Sequence, residues 1–137
     1  MAAGSCVCKG VTYEYTGEPT TKAVCHCYEC QKLTGTGFTY NFIVPRENFK
    51  FTAGTPKYNS FTQESGVEVG YRFCPDCGTT LIKESEAEMF KSVYMVQAGT
   101  IDSHDLIKEK PTVELWTCHR AEWIQPTPEV EQKAEFV

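Results

Sequence analysis

The sequence predicts a mainly β protein, built of antiparallel sheets with zinc-binding knuckles and short helical turns. Three observations lead there. Short runs rich in Val, Ile, Thr, Tyr and Phe alternate in polarity between breaks containing Gly and Pro. Helical character is confined to Glu29–Leu33 and to one turn starting at Asp102 or Ser103. The cysteines come as C-x-C, C-x-C-x-x-C and C-x-x-C-G, which are metal-ligand spacings.

Taken in order, Cys6 and Cys8 lie in a loop, with a strand following over 10–16. Extended backbone at Cys6–Cys8 would put both thiols on one face, and Gly4 and Gly10 flank the pair to let the chain turn round a metal. After the turn Gly17-Glu18-Pro19, a strand over Thr20–Cys25 delivers the loop Cys25-His26-Cys27-Tyr28-Glu29-Cys30. The helical stretch ends at Thr34-Gly35-Thr36-Gly37. Strands follow at Phe38–Val44, bounded by Pro45, and at Phe49–Thr52. Tyr58–Gln63 and Val67–Phe73 read as a hairpin closed by Glu64-Ser65-Gly66. It runs into the knuckle Cys74-Pro75-Asp76-Cys77-Gly78, whose glycine permits the left-handed turn that aims amides at sulfur. Thr79–Lys83, Phe90–Ala98 and Thr112–Trp116 are the remaining strands, the last of these closing the sequence of elements.

A chain of 137 residues with 41% hydrophobic and 23% charged residues has the composition of one folded domain, expected over residues 1–125 with a Pro/Glu-rich frayed tail over 126–137. Seven thiolates holding two dications would take the formal net charge from -5 to about -8. Such a surface repels nucleic acid, and there is no basic cluster to offset it. No apolar run approaches the roughly 20 residues of a membrane span, and no secretory h-region follows Met1. The expectation is a cytoplasmic protein in a reducing compartment, where clustered cysteines bind metal rather than cross-link. An anionic ligand would look to Lys9, Lys22, Lys32 and Arg46 for charge, the cations nearest the motifs.

Seven cysteines divide into four and three. Cys6, Cys8, Cys74 and Cys77 make a closed site that pins distant segments. Cys25, Cys27 and Cys30 leave one corner of a tetrahedron free, the mark of a catalytic rather than a structural zinc. Sharing of ligands between the central loop and the knuckle is the competing partition. The fourth corner falls either to an outside group or to His26, Cys118 or His119. His26, between two ligands, should point away from the metal, and Cys118 reads as a buried or partly buried thiol. Phe38, Tyr40, Phe42, Tyr71 and Phe73 are at strand spacing and read as core. His26, Glu29, Tyr28 and Tyr40 are the candidates for proton transfer.

These motifs resemble a known family. C-x-C near the start, C-H-C-x-x-C followed by Thr34-Gly35, Phe73-Cys74-Pro75-Asp76-Cys77-Gly78 and Arg120-Ala121-Glu122-Trp123 look like the glutathione-dependent formaldehyde-activating enzyme family, also called the GFA or centromere protein V domain family. The resemblance implies an Mss4-like fold with a structural zinc on Cys6, Cys8, Cys74 and Cys77 and a catalytic zinc on Cys25, Cys27 and Cys30. It implies a carbon–sulfur lyase with glutathione as co-substrate or as part of the substrate, a glutathione conjugate being the small-molecule partner. Cys118 stands where the family pattern has no cysteine. The alternative is a non-catalytic Mss4-like zinc-binding interaction module, since the fold also occurs in proteins that bind small GTPases and a fold does not fix a function. A methionine sulfoxide reductase using Cys118 is a third reading, but it would have no use for the Cys25–Cys30 loop.

Overall fold

In the computed structural model, which describes residues 1–137, two sheets pack around the main core. The smaller sheet has the order β1 (Ala2–Ser5), β2 (Thr12–Tyr15), β5 (Phe49–Ala53) and is antiparallel throughout. Its β1 was not expected from the sequence. Gly4 lets that strand cross the Tyr13 ring, because a Cβ there would come within 2.2 Å of the ring carbon.

The larger sheet is built from β3 (Thr21–Cys25), β4 (Thr39–Pro45), β6 (Lys57–Thr62), β7 (Glu68–Phe73), β8 (Thr80–Glu84), β9 (Val93–Gln97), β10 (Val113–Leu115) and β11 (Glu131–Gln132). Their order is β11-β10-β3-β4-β9-β8-β7-β6. The single α-helix, α1 (Tyr28–Thr34), follows β3 directly and ends at Gly35 in left-handed backbone. These elements match the expected mainly β architecture, including the 64–66 hairpin turn. No helix is long and apolar enough to cross a membrane.

Two departures lie at one edge. β10 runs parallel to β3, and β11 runs parallel to β10. Alternation in sequence carries no information about strand direction, so these pairings were not foreseen. The tail over 126–137, expected to be frayed, is instead docked. Lys133 N–H donates to Glu114 O (2.9 Å), Thr117 N–H to Lys133 O (3.0 Å) and Trp116 N–H to Glu135 O (3.2 Å). Val130 is buried, and Phe136 packs edge-on against Trp116. The open edge of β10 supplies hydrogen bonds and two apolar anchors hold the tail, which its Pro/Glu-rich composition conceals.

The main core joins Tyr13, Tyr15 and Phe49 of the small sheet to Phe42, Val44 and Val96 of the large one. The other face of the large sheet carries the row Ile43, Met95, Lys83 across β4, β9 and β8. A register shift produces that row. Phe73 is opposite Thr80 but Arg72 is opposite Ile82, so Leu81 is an extra residue in β8. Leu81 and Ile82 both reach the main core, and Lys83 emerges on the opposite face.

Candidate functional site

The cysteines gather into two clusters, each with its sulfurs within 4.8 Å of one another. Cys6, Cys8, Cys74 and Cys77 form the first, and Cys25, Cys27 and Cys30 the second. The competing partition, with ligands shared between loop and knuckle, is not what the chain adopts.

In the first cluster the Cys6–Cys8 and Cys8–Cys74 sulfurs are 3.6 Å apart. Bonds of about 2.3 Å to one tetrahedral ion place sulfurs about 3.8 Å apart, whereas a disulfide needs about 2.05 Å. The donor set therefore fits a soft divalent ion such as zinc. Main-chain amides support the sulfurs: Val11 N–H donates to Cys6 Sγ (3.3 Å) and Cys77 N–H to Cys74 Sγ (3.5 Å). Gly78, at φ 79°, makes the left-handed turn expected of it and donates to Cys74 O. The Cys6–Cys8 segment is not extended as expected. Lys9 N–H donates back to Cys6 O (3.0 Å), and the positive φ falls on Lys9 (64°) rather than on Gly10. The Thr79 hydroxyl and amide hold the Cys77 thiol down to about 5.

The second cluster is buried at the end of β3 and the start of α1. Cys27 caps the helix, its sulfur accepting from Cys30 N–H (3.4 Å). The cap brings Cys30 back beside Cys25 and Cys27. Hydrogen bonds from the Cys25 and Cys27 thiols, opposed by burial and aided by Lys83 and Thr39, hold Cys30 well below the usual thiol range. Hydrogen bonds with Cys27 and Cys30, together with burial, push Cys25 well above it. Sulfurs this close do not all ionise unaided, and a dication would let them.

None of the residues considered for the fourth corner joins this cluster. His26 turns away, as expected, with Nε2 2.8 Å from Glu114 Oε1. His119 stacks on Tyr28 with ring centres 3.8 Å apart and bonds Glu64. Cys118, expected to be buried or partly buried, is exposed. Desolvation and the charges of Glu64 and Glu135 raise its thiol pKa, the wrong direction for a nucleophile.

What the sequence reading missed is Lys83. Only 4% exposed, its Nζ donates to Cys30 Sγ (3.3 Å) and Thr39 Oγ1 (3.2 Å). The Thr39 hydroxyl in turn donates to Cys30 Sγ (3.1 Å) and is held by Asn41 Nδ2 (3.0 Å). Burial alone would lower the Lys83 pKa, but the Cys30 thiolate beside it wins and raises it. The one clue in the sequence was a lysine closing an apolar strand, Leu81-Ile82-Lys83. Among the cations that were expected to serve, Lys22 pairs with Glu109 and Arg46 with Glu86.

The three sulfurs face a cavity of about 40 Å³, apolar apart from Lys83, Asn41, Gln63 and the cysteines themselves. Phe61, Phe90, Leu115 and Phe136 help to close it. Phe61 also lines a larger open cleft of about 600 Å³, bordered by Glu29, Lys32, Tyr71 and Phe73. Tyr71 and Phe73 were expected in the core; they are half-buried cleft residues, because their strand β7 lies next to the sheet edge at β6.

A family model described as glutathione-dependent formaldehyde-activating enzyme matches residues 1–119. A structural-genomics protein from Rhodobacter sphaeroides, solved by crystallography, shares the fold with a TM-score of 0.56 at 14% sequence identity, over 74% of this chain and 88% of that one. No curated protein matches. With most of its length matched by the family model, the chain belongs to the glutathione-dependent formaldehyde-activating enzyme (GFA) family.

Proposed function

We propose that this protein is a zinc-dependent carbon–sulfur lyase acting on adducts of glutathione with an aldehyde or another electrophile, in a reducing, cytoplasmic setting. Cys6, Cys8, Cys74 and Cys77 would hold a structural zinc, and Cys25, Cys27 and Cys30 a catalytic one. The observation that carries this reading is the buried trio of sulfurs, without a fourth protein ligand, facing a cavity that shares Phe61 with an open cleft.

Cys25, Cys27 and Cys30 would hold the zinc, which would supply Lewis-acid stabilisation of the substrate's sulfur as a thiolate. The chain's own residues prepare for that charge. Lys83 and Thr39 hydrogen-bond Cys30 and offset the excess negative charge of a sulfur-rich site. The apolar walls lower the local polarity, which strengthens each of these interactions. Lys32 and Glu29, in the open cleft, are placed to meet a carboxylate and an ammonium of a tripeptide thiol.

The alternative of an interaction module would be served equally well by a closed second site, so the three-ligand arrangement speaks for the enzyme. Turnover of S-hydroxymethylglutathione by the wild type and by Cys27→Ser tests the reading. We expect the variant to keep its fold and lose turnover; a folded, zinc-depleted Cys27→Ser that turns over normally would take the metal out of the mechanism.

A further inference from the structure

We infer that Gln63 is a substrate-contacting residue, its Nε2 donating a hydrogen bond to the oxygen of the electrophilic half of the adduct. The inference rests on the carbon–sulfur lyase reading and adds to it the chemistry of the fragment that sulfur releases.

Gln63 is 2% exposed and forms part of the wall facing the three sulfurs. Its backbone is fixed by the hairpin turn: its N–H donates to Val67 O (2.8 Å), and its carbonyl accepts from Gly66 N–H (2.7 Å). Its side-chain oxygen accepts from Ser65 N–H (2.8 Å). That bond also determines which way the amide faces, because a nitrogen at that position would meet another donor. Nε2 is left buried with no acceptor in the protein. Four other buried side-chain atoms lack a partner, on His26, Glu29, Trp116 and Arg120, and none of those residues lines this cavity.

The other polar groups of the wall are already engaged. Asn41 Nδ2 donates to Ala23 O and Thr39 Oγ1, and its oxygen accepts from Gln97. Lys83 is committed to Cys30 and Thr39. One neutral donor therefore belongs to a residue in the wall of a small apolar space beside the sulfurs, and what it lacks is an acceptor. A cavity of about 40 Å³ holds on the order of three water-sized groups. Those limits describe a short, uncharged carbonyl-derived fragment rather than a bulky or anionic one.

The balance of the step is simple. When an adduct is made, the thiolate pair forms the C–S bond and the C=O π pair moves onto oxygen, which takes a proton from water. When an adduct is broken, the hydroxyl proton returns to water, C=O re-forms and the C–S pair leaves with sulfur. In both directions negative charge builds on the oxygen, and the Gln63 amide N–H lies where it can stabilise it without transferring a proton.

Two variants test this. Gln63→Met and Gln63→Leu both remove the donor, the first keeping the length of the side chain and the second shortening it. The first readout needs no turnover. In the Co(II)-substituted protein, titration with ethanethiol and 2-mercaptoethanol, followed by the metal's visible bands, should show the wild type favouring the hydroxyl-bearing thiol by about tenfold. Both variants should lose that preference while binding ethanethiol as the wild type does. The second readout is kcat/KM for S-hydroxymethylglutathione, expected to fall about 100-fold in both variants at unchanged zinc content. A preference for 2-mercaptoethanol that survives in both variants, or that the wild type never shows, overturns the role of Gln63. A wild type that shows the preference but turns over no adduct overturns the lyase reading instead.

Discussion

His26 and Glu114 are 88 residues apart in sequence and 2.8 Å apart in space, both buried. With Glu114 ionised, His26 Nε2 donates to Oε1. Glu114 Oε2 accepts from Thr127 N–H (2.8 Å) and from Gln132 Nε2 (2.9 Å). One carboxylate thus ties the residue between Cys25 and Cys27 to the docked tail.

That tie should be visible in acid. Burial would raise the Glu114 pKa, but the Gln132 amide, the Thr127 N–H and His26 outweigh it and bring it from 4.5 to about 2. A folded pKa below the unfolded one contributes stability that is complete above about pH 4.5 and disappears as pH falls to about 2. The contribution is about 3 kcal/mol at most. Glu114→Gln should therefore be less stable than wild type at pH 6, with the gap closing towards pH 2. Urea unfolding of the two proteins by circular dichroism, from pH 6 down to the lowest pH at which both stay folded, measures it; a gap independent of pH would refute the assignment.

Lys83 tests the electrostatics of the second site. Lys83→Met removes the ammonium beside Cys30, so a fourth, exogenous thiolate should bind about tenfold more weakly to the Co(II)-substituted protein. Lys83→Arg keeps the charge and should recover part of that loss. Identical thiol affinities in all three proteins would show that Lys83 serves packing alone.

The two clusters should differ in what their loss costs. Cys6 and Cys74 belong to the main core, and the first cluster joins segments 66 residues apart. Structural zinc contributes about 10–16 kcal/mol, against a typical domain stability of about 5–15 kcal/mol. Cys77→Ser or complete chelation should therefore unfold the protein. Cys27→Ser should lower zinc from two ions to one and leave the fold in place. Elemental analysis together with circular dichroism separates these outcomes.

Phe136 lies beyond the stretch matched by the family model, yet it walls the cavity before Cys25, Cys27 and Cys30. Phe136→Ala should cost about 1–3 kcal/mol, below the value for a fully buried Phe because this one is only partly buried. It should also widen the range of adducts accepted towards longer aldehydes. Thermal melts and a panel of hydroxyalkyl glutathione adducts check both; an unaltered panel would mean that the tail does not shape the site.

The cysteine motifs were legible before any coordinates, because C-x-C and C-x-x-C carry their spacing within a few residues, whereas the meeting of Cys6 and Cys8 with Cys74 and Cys77 is a long-range contact that the fold supplies. Strands β2 to β10, the short helix and the 64–66 hairpin were legible for the same reason, periodicity and turn chemistry operating over neighbours, whereas β1 and β11 were not. Lys83, Gln63 and Phe136 were not. A lysine ending a strand, a glutamine before a turn and a phenylalanine in a polar tail read alike whether they meet water or sulfur. The bulge in β8 aims Lys83 at Cys30, and the parallel pairing of β10 with β3 and β11 carries the tail to the cavity. Such placements come from contacts between residues far apart along the chain, and burial is a property of the folded whole that no short window of sequence contains.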